Sequence, residues 1–337
     1  MSQINIRTLA KELGLSPGTV SKALKDSYEI SAETKERVLA LAKKLDYVPN
    51  IYASSLRKKR SKTIAVVLPE VADSFFSLAI NGIESIAQKK GYHVLIYLTH
   101  ENFLKEQAIL SDFKSGRVDG VLISITSETK QAKHICDLKA SGVPVVAFDR
   151  VFENSEIPKV GTNDFESGWL ATRHLIDKGC TQVAYLSISQ SLSIANLRME
   201  GYKKALEESN VLISKNNMVP CSNDELYNYN ILRKMMSSKN RPDGILASVE
   251  KLILTVYKVC KELNLRIPDD VKVIGFSNLA SAAILSPSLT TITQPAFEIG
   301  EAAASLLFKF LEKSNFRSEE KNIVLPSKLT IRDSTGK

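Results

Sequence analysis

Cysteine is scarce in this 337-residue chain, and the four present, Cys136, Cys180, Cys221 and Cys260, lie far apart with no C-x-x-C spacing. That excludes a disulfide framework and a zinc ribbon, and it fits a reducing compartment. Histidine is as rare. His93, His100, His134 and His174 are scattered, and the one metal-like pair, His134 with Cys136, stands at i, i+2, where a helix points side chains apart. No metal site and no cofactor are expected. The chain also lacks a G-x-G-x-x-G opening a helix, a P-loop, an H-E-x-x-H and a G-x-S-x-G, so no enzyme chemistry is written in it. No apolar run approaches the roughly 18 residues of a bilayer span. The opening MSQINIRTLAKELG carries charges throughout instead of a basic-then-apolar export signal. A cytoplasmic protein with no membrane contact is expected.

What is present is an ordinary globular composition, 44% apolar and 24% charged, long enough for two or three folded units. The charge is uneven. Residues 1–62 hold thirteen Lys and Arg against six Asp and Glu, so a surplus of seven out of the total +8 lies in the first fifth. A basic segment joined to a near-neutral body points to one module that meets a polyanion, most simply nucleic acid, and a second with another task.

The basic segment begins with helical periodicity. Asn5 can cap a helix whose apolar residues Ile6, Leu9, Ala10 and Leu13 recur at i, i+3, i+4 and i+7, with Gly14 in the position after its end. Ser16 can cap a second helix with Pro17 at its first position, and two helices joined this tightly form a helix-turn-helix. Val20, Ala23 and Leu24 share one face of that helix; Gly18, Ser21, Lys22 and Lys25 lie opposite, a small basic surface suited to a major groove. A third helix capped by Ser31 brings Val38, Leu41 and Leu45 to the same core. The spacing also fits a plain three-helix packing unit with a solvated basic face. Residues 50–60, NIYASSLRKKR, add a weak helical pattern and a basic run that could fold on DNA.

From residue 63 short β-branched runs alternate with helices: TIAVVL, HVLIYL, GVLISI and VPVVAF, then VAYLSI, GILAS and VKVIGF, with helices expected around 75–90, 103–115, 129–141, 165–178, 196–209, 226–238 and 250–263. This is an α/β pattern of parallel sheets covered on both faces, in two consecutive lobes. Ligands in such folds bind outside the carboxyl ends of the strands. That rule selects Asp73, Ser74, Phe75, Ser124, Thr126, Asp149, Arg150, Asn163, Ser189, Glu250 and Asn278 as cleft residues.

The run LAKELGLSPGTVSKAL, the stretch YEISAETKERVLALAKKLDYVPNIYASSLRKKRSKTIAVVLPEVADSFFSLAINGIE, and later IPDDVKVIGF and LTTITQP resemble the LacI/GalR family of bacterial transcriptional regulators across essentially the whole chain. The resemblance implies a lambda-repressor-like helix-turn-helix headpiece (1–49), a hinge helix and linker (50–61) and a periplasmic-binding-protein-like core (62–337). The core's first lobe would span about 62–161 and 293–321, its second about 162–292 and 322–337, with crossings near 161, 292 and 322. By resemblance Ser16, Pro17, Gly18, Thr19, Ser21, Lys22 and Lys25 meet the major groove. Asn50, Ala53, Leu56 and Lys58 meet the hinge site, with Leu56 wedged into a base step, a distortion that costs a few kcal/mol and brings more surface into contact. Arg198, in R-M-E-G-Y, matches the arginine that holds effector hydroxyls. The implied protein is a repressor or activator that binds a near-palindromic double-stranded operator and answers to a small-molecule effector, a sugar or related metabolite. No leucine heptad follows the final strand pair NIVLPSKLTIRDS, so a homodimer is expected.

Several positions depart from the family pattern. Lys22 replaces a frequent arginine, and Pro17-Gly18 replace larger base-reading side chains. Val249-Glu250 stand where relatives carry Asn-Asp, Ser277-Asn278 where they carry Asp-Asp, and Asn223 near a usual stacking aromatic. Three readings follow: another ligand class, a sugar site rebuilt on Glu250 and Asn278, or a pocket that no longer senses small molecules and answers to a protein partner. An α/β enzyme carrying a DNA-binding module is the remaining alternative, and the missing motifs count against it.

Overall fold

The computed structural model describes residues 5–47, 61–152, 155–189, 191–312 and 322–336. The chain divides into two compact units, Met1–Ser61 and Lys62–Lys337. In the first, α1 (Ile6–Leu13), α2 (Pro17–Ala23) and α3 (Ala32–Lys44) follow the expected helices. Asn5 accepts the backbone N–H groups of Arg7 and Thr8, and Gly14 ends α1 at φ 64°, a left-handed conformation that costs glycine nothing. Ser16 accepts the Thr19 N–H, and Pro17 fills the first position of α2, where no N–H is missed. Leu9, Ala10, Val20, Ala23, Val38 and Ala42 close the core, with Leu13, Leu24, Leu41 and Leu45 around its border. The expected hinge residues Asn50, Ala53, Leu56 and Lys58 lie outside the described residues.

The second unit contains two six-stranded sheets. In the first, β1 (Thr63–Leu68), β2 (His93–Leu98), β3 (Gly120–Ile123), β4 (Val145–Phe148), β5 (Lys159–Thr162) and β11 (Asn322–Leu325) run parallel in the order β11-β5-β4-β3-β1-β2. The second holds β6 (Val183–Ser187), β7 (Met218–Pro220), β8 (Gly244–Ala247), β9 (Lys272–Phe276), β10 (Thr290–Thr293) and β12 (Lys328–Thr330) in the order β12-β10-β9-β8-β6-β7, with only β12 antiparallel. Residues of α4 (Ser74–Lys89) and α11 (Ala296–Glu312) cover one face of the first sheet, and α5 (Phe103–Phe113) and α6 (Lys133–Ala140) the other. In the second lobe α7 (Asp164–Asp177) and α8 (Ser193–Glu208) lie on one face, α9 (Glu225–Met236) and α10 (Glu250–Glu262) on the other.

Two details differ from expectation. Helix α6 starts at Lys133 instead of near 129, because the preceding loop is pinned by Thr126 and Thr129, whose hydroxyls lie 2.8 Å apart, and Thr129 donates to the buried Glu106 at 2.9 Å. The third crossing falls at Pro326–Ser327, not near 322: β11 pairs with β5 and stays in the first lobe, and only β12 joins the second. The crossings are tied together. Asn163 Oδ1 accepts the Ser327 N–H at 2.8 Å, and Gln294 Nε2 donates to Thr162 Oγ1 at 3.4 Å.

Candidate functional site

On the headpiece, Ser16, Pro17, Gly18, Lys22 and Lys25 are exposed and Thr19 and Ser21 half-buried, so α2 presents the expected polar face to solvent. Ser16 and Thr19 are partly committed to the cap, their hydroxyl oxygens 2.9 Å apart. The Lys22 ammonium pairs with the Glu29 carboxylate. Tyr28, 93% exposed beside that pair in sequence, is an addition the residue pattern did not select.

In the core, a narrow cleft lies between the lobes, lined by Asp73, Phe75 and Phe76 from the end of β1 and α4, Asp149 and Arg150 after β4, Arg198 on α8, and Glu250, Ser277 and Asn278 after β8 and β9. Its free space, about 30 Å³, is far below the roughly 300–1,000 Å³ typical of small-molecule sites, so the lobes stand nearly closed and a small molecule enters only as they part. Arg198 is 3% exposed and fixed on three sides. Its Nε donates to Asp164 Oδ1 at 2.7 Å and its Nη1 to the Ser248 carbonyl at 2.6 Å, while its guanidinium lies 3.9 Å from the Phe276 ring centroid. Nη2 has no protein partner. The backbone under it is set by a close crossing of α7 and α8: a Cβ on Gly168 would come within 2.2 Å of the Arg198 carbonyl oxygen, and one on Gly201 within 2.0 Å of the Phe165 carbonyl oxygen.

Arg150 Nη1 donates to Glu101 at 2.6 Å, leaving Nε without a hydrogen-bond partner 4.0 Å from Asp149 Oδ2. Asp149 holds a left-handed backbone, φ 58°. Burial pushes its carboxyl up to about 7, against the pull of Arg150 and Arg198. Asp73 caps α4 by accepting the Phe75 N–H at 2.9 Å, and burial together with the Glu250 charge raises its pKa as well. Asn278 Nδ2 donates to the Gln294 carbonyl at 2.6 Å, while its buried Oδ1 has no partner. The result is a cavity with donors on two guanidiniums, acceptors on three carboxyls and an amide, and apolar walls from three phenylalanines. That alternation matches hydroxyls, which donate and accept at once.

Of the strand-end residues, Asp73, Phe75, Asp149, Arg150, Glu250 and Asn278 meet at this cleft, joined by Arg198 from the resemblance, whereas Ser74, Ser124, Thr126 and Asn163 are not among its lining. Thr126 belongs to a buried cluster behind the sheet end, its N–H donating to Glu106 Oε2 at 2.8 Å, with His134 Nε2 2.6 Å from Glu106 Oε1. Asn163 is spent on the crossings. Ser189 sits in the loop after β6, its hydroxyl 3.0 Å from that of Ser191. The sequence pattern did not select Phe76, Phe276, Gln294 or Asp164. Phe276 ends a strand, and its alternation with Ile274 could have marked its face.

Residues 5–50 match the family described as bacterial regulatory proteins, lacI family, and residues 61–333 match periplasmic binding proteins and sugar binding domain of LacI family. The chain belongs to the LacI family. Members of this family are DNA-binding transcription regulators, not enzymes. A ribose operon repressor from Halalkalibacterium halodurans is 32% identical, covering 98% of this chain and 96% of its own length. A LacI family transcriptional regulator from Enterococcus faecium, solved with bound ribose, is 27% identical with TM-score 0.72, over 81% of this chain and 98% of its own. The lac repressor dimer bound to operator and an anti-inducer shares the fold over 100% of both chains, with TM-score 0.86 at 22% identity. Among the described residues no helix is long and apolar enough to cross a membrane.

Proposed function

We propose that this LacI-family protein is a cytoplasmic repressor that binds a near-palindromic operator as a homodimer through α2, and that a sugar held at Arg198 controls it. The observation that carries the effector reading is Arg198 itself: a guanidinium braced by Asp164, the Ser248 carbonyl and Phe276, with Nη2 unspent in the wall of the cleft. A buried donor without a partner costs about 1–3 kcal/mol, and a ligand hydroxyl or ring oxygen would relieve it. The ribose bound by the Enterococcus faecium regulator and the ribose operon served by the Halalkalibacterium halodurans repressor make D-ribose the first probe. Homodimer formation is supported by apolar side chains left in solvent: Leu95 and Ile96 on the edge strand β2, and Leu226 and Leu254 on the packed helices α9 and α10.

The test is a thermal-shift panel of D-ribose, other pentoses, hexoses and nucleosides on the full-length protein, followed by operator binding with and without each hit. A ligand at 100 times its dissociation constant adds about 2.7 kcal/mol of stability. A shift from a sugar that is lost in Arg198→Ala supports the assignment. No shift from any sugar, with operator binding intact, removes it and leaves a protein partner as the controlling input.

A further inference from the structure

Both guanidiniums of the cleft are neutralised from behind, Arg150 by Glu101 and Arg198 by Asp164. Glu250 is treated differently. It opens α10 in the second lobe, and its carboxylate collects four donors drawn from both lobes. From the first lobe, the Ser74 N–H reaches Oε1 at 3.3 Å and the Ser74 hydroxyl reaches Oε2 at 2.5 Å. From the second, the Ser277 hydroxyl reaches Oε2 at 2.6 Å and the Asn278 N–H at 3.2 Å. Ser277 Oγ accepts the Leu279 N–H at 3.0 Å, which leaves its hydrogen directed at Glu250.

We propose that Glu250 is an internal latch, its carboxylate holding the lobes together across the cleft in the absence of effector, so that an entering ligand must first release Ser74. The carboxylate lies at the N-termini of two long helices, α4 and its own α10, whose positive ends favour an anion there. Among the described residues, the other hydrogen bonds across the cleft, from Ser191 Oγ to the Ser127 carbonyl at 2.5 Å and from Ser193 Oγ to the Val151 carbonyl at 2.9 Å, join neutral groups, as do those at the crossings. The Lys251–Glu70 pair, 3.8 Å apart, is partly exposed. Charge-assisted bonds are roughly twice as strong as neutral ones, and exposed pairs contribute little, so Glu250 dominates closure.

Reach and charge together decide the residue type. Aspartate at 250 would keep the charge but fall one methylene short of Ser74, whereas glutamine would keep the reach but lose the charge and turn an NH2 toward donors where one of the two oxygens now accepts. The latch is read without any ligand, so a failed sugar panel and a failed latch are separate outcomes. The experiment is hydrogen exchange by mass spectrometry on the full-length, ligand-free protein and its Glu250→Ala, Glu250→Asp, Glu250→Gln and Ser74→Ala variants, with circular dichroism to confirm folding. The diagnostic peptides cover residues 73–78 at the latch and 124–128 and 191–197 on the other side of the cleft. The latch predicts that the Ala and Asp variants, and Ser74→Ala on the opposite lobe, speed exchange about tenfold or more in all three peptides together, with Gln between them and the wild type. Faster exchange confined to 73–78, an Asp variant as protected as the wild type, or no change in any variant would overturn it.

Discussion

Replacing Asp164 by asparagine tests whether Arg198 is held as a buried ion pair. The two side chains are only 3% and 4% exposed, and the arginine cannot shed its proton. Asparagine keeps the shape and a carbonyl oxygen for Nε, so what is lost is charge. Removing one partner of a buried pair costs about 3–5 kcal/mol, because the other charge stays buried. The Ser248 carbonyl and the Phe276 ring remain against the guanidinium, which places the loss near the lower end, about 3 kcal/mol. At roughly 2–4 °C per kcal/mol for a unit of this size, the melting temperature falls by about 6–12 °C. Arg198→Met behaves differently, since the abandoned carboxyl can take up a proton. In that variant the folded state holds a proton the unfolded state has released, so its stability declines as pH rises above the ordinary carboxylate range. Thermal denaturation of the wild type, both single variants and the double variant at pH 5 and pH 8 closes the cycle. A melting temperature for Asp164→Asn within about 2 °C of the wild type, or the same pH trend in both single variants, would refute the argument.

Asp149, with its carboxyl raised to about 7, accepts a ligand hydroxyl more strongly as a carboxylate than as a neutral acid, so sugar affinity is expected to rise between pH 6 and pH 8, by up to about tenfold. Isothermal titration on Asp149→Asn should give a flat profile, and a flat wild-type profile would discount the role. In the free protein the same raised pKa means that the folded state holds a proton the unfolded state releases, so this carboxyl's contribution to stability decreases from about pH 4 to about pH 7. Gly168→Ala drives a Cβ into the Arg198 carbonyl oxygen, 2.2 Å away, so α7 and α8 must part at a cost of about 1–3 kcal/mol. Sugar affinity should drop with the far-ultraviolet circular dichroism unchanged; normal affinity would show that the crossing does not set Arg198. Lys22→Ala should weaken binding to an operator selected from random DNA more than binding to random sequence, while Lys58→Ala should weaken both alike and lower the salt slope by about one. Equal losses in Lys22→Ala would withdraw it from base reading.

The sequence made the fold legible where burial is uniform. TIAVVL and VKVIGF are buried along most of their length, and a continuous apolar run reads correctly as an inner parallel strand. HVLIYL carries the same pattern yet forms an edge strand with Leu95 and Ile96 in solvent, because sheet order is not encoded in hydropathy. The strands KVGT and MVP, four and three residues long, are too short to show a period. NIVLPSKLTI hides its crossing for a related reason: both halves alternate alike, and only pairing reveals that the chain changes sheets at the proline. The strand-end rule found Asp73, Asp149, Arg150 and Glu250, while Arg198 came only from the resemblance; the rule cannot tell a hydroxyl that faces the cavity from one that serves a buried carboxylate, as Thr129 serves Glu106.

The departures at Val249 and Ser277 look, in sequence, like lost acceptors. In three dimensions a carboxylate still stands against residue 277, delivered by Glu250, whose Oε2 lies 2.6 Å from the Ser277 hydroxyl. The same carboxylate also makes two bonds to Ser74 in the opposite lobe. That double duty bears on how a ligand can signal. A ligand shifts an equilibrium between lobe arrangements only by its differential affinity for them, and affinity it shows equally for both changes nothing. With the lobes already joined through Glu250, a sugar that leaves the Ser74 bonds intact adds affinity without changing the arrangement that DNA senses. A sugar that takes the Glu250 carboxylate for its own hydroxyl breaks the cross-lobe bond and couples binding to opening. Coupling energies of about 1–3 kcal/mol, the usual allosteric range, are the size of one or two charge-assisted hydrogen bonds. The Ser74–Glu250 contact is therefore large enough to carry the whole signal.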